Sequence, residues 1–229
     1  MKLKILLYLF FLLCFVEIIM VYFDVKHSVY IRPICVFLIY KFYVVNTKKH
    51  NFFLLFYLLC ELINEIFFLI DFRAYFEVVM ISYILATFTM IYHLWSVFKC
   101  AEIKVKRGDL FRPVLGLLAV LYIFWELTLI LINDLPNNFV FFLALAALLC
   151  WIFFCSLTPV KNKHPDNFIL YIMGGSMGVM APTMFIYTFL WQSKPILILC
   201  LFSMLLLKLS LVWYMIKVDE ILASENAYF

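Results

Sequence analysis

FFLLFYLLCELINEIFFLID, residues 52–71, is the stretch that decides how this chain folds. Twenty residues at about 1.5 Å each make a helix about 30 Å long, the thickness of a bilayer's hydrocarbon core. The run is apolar except for Glu61, Asn64, Glu65 and the terminal Asp71. Glu61 and Glu65 are four apart, so a helix places them on one face, with Asn64 adjacent. A helix of this kind belongs in lipid, with its polar stripe turned toward neighbouring helices.

Seven similar runs flank it, at 3–23, 29–45, 75–98, 110–132, 138–157, 167–190 and 196–216. The chain is 68% hydrophobic and 14% charged, whereas soluble chains carry about 25% charged residues. One soluble core of this size cannot hide so much apolar surface. Lipid-facing strands would leave backbone groups unpaired, and the alternation of a β-barrel is absent. The expected fold is therefore an all-α polytopic bundle of eight transmembrane helices, one domain over 1–229. The first run resembles a signal peptide, but it is long, holds Glu17 and lacks a small-x-small cleavage site, so it reads as a retained span. Pro33, Pro113 and Pro195 fall at helix starts, where a missing N–H costs nothing. Pro136, Pro159 and Pro165 are expected in connections, and only Pro182 deep in a span.

Alternate loops receive very different charge. Lys2, Lys4, Lys41, Lys48, Lys49, Lys99, Lys104, Lys106, Arg107, Arg112, Lys161, Lys163 and Lys217 fall on one side; Lys26, Arg32, Arg73 and Lys194 fall on the other. Thirteen against four predicts that the first side, with both termini, is cytoplasmic. The expected location is the plasma (inner) membrane. The net charge of +4 sits in short loops that meet lipid headgroups, so membrane lipids rather than nucleic acid are the expected partners.

Charged groups inside hydrocarbon cost about 2.5–3.5 kcal/mol each and usually face the bundle interior. Glu17, Glu61, Glu65, Glu126, Lys208 and Arg32 are such groups, and depth allows one cluster opening toward the non-cytoplasmic side. One reading is a water-accessible pocket with acid/base carboxylates or a headgroup site. The other is a set of paired charges, such as Glu61 with Lys208, that only fix helix register. Gly174, Gly178 and Pro182 form a stripe on the seventh helix, which reads first as close packing and second as a hinge. His93 reads as a hydrogen-bonded residue of the interior or the interface. The seven cysteines show no CxxC spacing, six lie in apolar runs, and they read as small apolar filler. No histidine pair has metal-ligand spacing and no nucleotide or nucleophile motif occurs, so no metal and no cofactor is expected.

The order of features resembles the YhhN family of multi-pass proteins over roughly residues 29–216. Arg32-Pro33 stands where that family opens its second helix with Lys-Pro. Asn64-Glu65, within ELINEIFFLID (61–71), stands for its Gly-Asp. ISYILATFTMIY (81–92) is similar to its fourth-helix segment, with Thr87 in place of the usual His. GGSMGVMAPTMFIY (174–187) is similar to its seventh, with Ala181-Pro182 in place of Ser-Asp. Characterised members are lysoplasmalogenases, which hydrolyse the vinyl-ether bond of lysoplasmalogens. The resemblance implies Glu65 as acid/base residue, Glu61 and Glu126 beside it, and Arg32, Asn64, Lys208 and Glu17 around a lysophospholipid. Because the second acidic position is lost, it equally implies a catalytically silent binding or scaffold protein. A small-solute carrier using Glu61 and Lys208 is the remaining alternative.

Overall fold

Each apolar run folds as a helix: α1 (Lys2–Tyr22), α2 (Ile31–Thr47), α3 (Phe52–Asp71), α4 (Phe76–Lys99), α5 (Arg107–Leu131), α6 (Asn138–Lys161), α7 (Phe168–Phe185) and α8 (Lys194–Ala223). The structure, a computed structural model, describes residues 2–99, 107–162 and 164–223. Residues 100–106, Lys163 and Glu225 lie outside them, so Lys104, Lys106 and Cys100 are not placed. All eight helices are long and apolar enough to cross a membrane, and the even number returns the chain to the side where it began. No strand occurs among the described residues. The protein is thus an integral membrane protein of the multi-pass type.

Local chemistry sets the ends. Asn51 caps α3 by accepting from the Leu54 N–H at 3.0 Å, and Asn137 caps α6 through the Val140 N–H at 3.2 Å. Both satisfy an amide that the first helical turn leaves free. Lys48 ends α2 in the left-handed region. Two boundaries differ from expectation. α6 continues to Lys161, so Pro159 lies within it rather than in a connection. Thr158, just before, bonds its hydroxyl back to the Phe154 carbonyl at 2.7 Å, an arrangement that suits a bent helix end. α8 outlasts its apolar run and carries Asp219 and Glu220. Asp219 there pairs with Lys49 at 2.6 Å.

α3, α4, α6, α7 and α8 make the centre, with α7 packed along α8 and α3 along α4. α1 leans on α2, and α5 on α6. Pro182 breaks the regularity of α7, and Ile186–Leu190 follow as one wide π-helical turn, as expected where a proline interrupts the ladder. Gly174 is the close approach: a Cβ there would lie 3.0 Å from that of Cys155 on α6. Gly174 is therefore used for packing, while Gly175 and Gly178 line an open groove shared with α5 and α6.

A buried clamp closes the terminal side. The Tyr214 hydroxyl donates to Asn167 Oδ1, and Asn167 Nδ2 donates to the Asn162 carbonyl, both at 2.8 Å. Asn167→Ala should cost about 1–2 kcal/mol, because it strands a buried hydroxyl in an apolar setting. Reversible unfolding in detergent checks this; an unchanged midpoint would mean that water replaces the amide.

Candidate functional site

The site begins with the register of α1 against α2. On α1, Phe10, Cys14 and Val21 are buried and Glu17 is half-buried. On the facing segment, the turn before α2 and α2 itself, Ser28, Arg32, Cys35 and Ile39 are buried. Both sets follow four-three-four spacing, the seam of two helices packed side by side. Cys14 faces Cys35, its thiol donating across 3.8 Å, and Glu17 faces Arg32 at 2.6 Å. The numbers in each pair share one sum, as an antiparallel hairpin requires.

α3 and α8 complete the cluster. Arg32 Nη1 lies 3.3 Å from Glu65 Oε2, and the Lys208 ammonium lies 2.5 Å from Glu65 Oε1 and 2.6 Å from Oε2. Helix direction explains the meeting. Side chains lean toward their helix's N-terminus. α8 starts on the side where α3 ends, so Lys208 reaches toward the level from which Glu65 leans down. Two carboxylates and two cations give a neutral cluster. Arg32 and Glu65 are each 2% exposed in their side chains, Lys208 9% and Glu17 12%, which places Glu17 nearest the mouth.

The cluster is not closed. A cavity of about 20 Å³ is lined by Cys14, Glu17, Arg32, Cys35, Glu65 and Lys208, with Ile18 and three α8 side chains. That is room for about one water. Among the described residues Arg32 Nε and Nη1 find no hydrogen-bond partner; Nη1 is within ion-pair reach of Glu65 but off the line that a hydrogen bond needs. A buried guanidinium with unmatched donors is a strong anion-binding group.

The expected residues divide. Glu17, Arg32, Glu65 and Lys208 converge. Glu61 is buried one turn away, where Asn64 Nδ2 donates to its Oε1 at 3.5 Å. The expected Glu61–Lys208 pair does not form, since Lys208 is taken up by Glu65. Asn64 stands off the cavity wall and accepts from the Ser82 hydroxyl at 2.5 Å. Glu126 is exposed on α5 and joins no ion pair among the described residues. It lies about 7 Å from the helix end by rise per residue, near enough to reach headgroup level without turning inward. His93 is half-buried, meets Asn51 Nδ2 at 3.0 Å and stacks on Phe53, in keeping with the hydrogen-bonding role expected of it. Among the described residues no three His, Cys, Asp or Glu side chains gather as metal ligands.

Sequence reasoning missed Cys14, Cys35 and Ser82. The thiols were legible in principle. Cys14 precedes Glu17 by three, Cys35 follows Arg32 by three, and folding the hairpin so that Glu17 meets Arg32 brings the sulfurs together.

No protein family, curated protein or solved structure is matched by this chain.

Proposed function

We propose that this membrane protein handles lipid, and that the Glu17–Arg32–Glu65–Lys208 chamber, which as folded holds about one water, widens to receive the headgroup phosphate of a lysolipid from the surrounding leaflet. The observation that carries this reading is Arg32, buried by the bundle, with two unmatched nitrogens beside a cavity. A headgroup phosphate suits those donors. It would displace the long Arg32–Glu65 contact and leave Glu65 with Lys208. The acyl chain would stay among the exposed apolar side chains of α1, such as Phe11 and Phe15.

Binding is favoured over hydrolysis by the state of the carboxyls. Glu17 and Glu65 line the cavity, but each is held by a cation. Glu61 is free of cations but does not line it. A general acid or base needs a position within reach of the substrate. The YhhN resemblance fits this reading as that of a relative that keeps the lipid chamber and lacks the second acidic position. A carrier is less well supported, because the cluster is neutral and internally paired.

The test is lysolipid retention by the purified protein, read by native mass spectrometry. Arg32→Gln should retain about tenfold less lysophospholipid than the parent, the loss of one charge-assisted hydrogen bond set. Equal retention would refute the assignment of the chamber. The same samples given a lysoplasmalogen should release no aldehyde; release would restore the hydrolytic reading.

A further inference from the structure

The cysteine pair on the chamber wall belongs to no function assigned so far. Cys14 and Cys35 are 7% and 2% exposed, 3.8 Å apart, and both line the same cavity as the four charges. They stand on the two helices that hold Glu17 and Arg32. Buried thiols in a dry apolar core are inert, whereas thiols beside cationic groups are reactive. These two face a polar cavity whose wall carries a guanidinium and an ammonium together with two carboxylates, so they lie outside a dry apolar core and against each other. Cys150, on α6, is exposed on the bundle surface and serves as a comparison.

We infer that Cys14 and Cys35 form a reversible disulfide that closes the headgroup chamber, making the pair a redox modification site with a small peroxide as its oxidant. The sulfur of one cysteine attacks a peroxide oxygen, the O–O bond breaks, and water leaves with the thiol proton. The sulfenic acid so formed is attacked by the second sulfur. The S–O bond breaks, the S–S bond forms, and a second water leaves with the second proton. Two thiols are oxidised and one peroxide is reduced to two waters. A dithiol reductant reverses the step by exchange. Hydrogen peroxide is small and uncharged, so the apolar surroundings do not bar it as they bar ions.

The consequence is steric. A disulfide brings the sulfurs from 3.8 Å to about 2.05 Å. The cavity that both sulfurs line holds about one water as folded, so a bond tying α1 to α2 opposes the widening that a headgroup needs. The regulatory part of this inference rests on the lysolipid reading; the bond itself does not.

The test treats the full-length protein in detergent with hydrogen peroxide and then blocks remaining thiols with N-ethylmaleimide. Peptide mapping without reductant should show Cys14 joined to Cys35, and dithiothreitol should release both. Both thiols blocked by maleimide after peroxide, while Cys150 is oxidised, would overturn the inference. Lysolipid retention should fall about tenfold on oxidation and stay unchanged in peroxide-treated Cys14→Ala and Cys35→Ala, two variants that remove only a sulfur. A disulfide that forms while retention is unaffected would overturn the closing role. Failure of the lysolipid reading is seen separately, as absent retention by the reduced parent.

Discussion

Lys208→Met should destabilise the protein by about 3–5 kcal/mol, the usual cost of removing one partner from a buried ion cluster. The ammonium touches both oxygens of Glu65. Without it, Glu17 and Glu65 share Arg32 alone, and the site holds an uncompensated negative charge. Methionine is close to lysine in length and apolar character, so packing is little changed. The double variant Lys208→Met with Glu65→Gln should recover much of the loss, because it removes one charge of each sign. Reversible unfolding by denaturing detergent reads both. A single variant that loses less than about 1 kcal/mol would place the cluster in the range of hydrated surface pairs, and the chamber would then be open water.

Gly174→Ala should cost about 1–3 kcal/mol, in the range of overpacked interiors. The added Cβ would meet Cys155 Cβ at 3.0 Å, and neither atom can rotate away. Gly175→Ala provides the contrast, since nothing lies within 4 Å of its new carbon. There alanine's better helix propensity, worth up to about 1 kcal/mol, should leave stability equal or higher. Thermal unfolding of the two variants side by side checks the difference. Equal losses would show that α6 and α7 slide apart freely.

The helices were legible because their length and composition answer to one solvent. FFLLFYLLCELINEIFFLID had no other place to go, and α3 runs over those residues. Ends governed by local bonds were less so. α6 passes through Pro159 and ends at Lys161, which no hydropathy pattern reports. Of the site, depth alone foretold that Glu17, Arg32, Glu65 and Lys208 could meet. Which carboxyl takes Lys208 could not be read, since Glu61 and Glu65 share a face and differ by one turn. The direction in which α8 points its side chains decided it. Glu126 shows the limit of the rule that intramembrane charges turn inward: close to a helix end, the interface is a nearer refuge than the bundle centre. The thiol pair was dismissed because each cysteine was judged by its neighbours in sequence. Only the pairing of two helices reveals it.

The neutral cluster also bears on the order in which the chain is made. Glu17 leaves the ribosome first, and Arg32 follows within the same hairpin, so α1 and α2 can enter the bilayer as a mutually neutralised pair. Glu65 then arrives with α3 and finds its guanidinium already shared. Its ammonium comes 143 residues later, on the last helix. Every nascent intermediate lacking α8 therefore carries a surplus carboxylate in hydrocarbon, and a truncated product keeps it. Completion of synthesis is what supplies the second cation of the cluster.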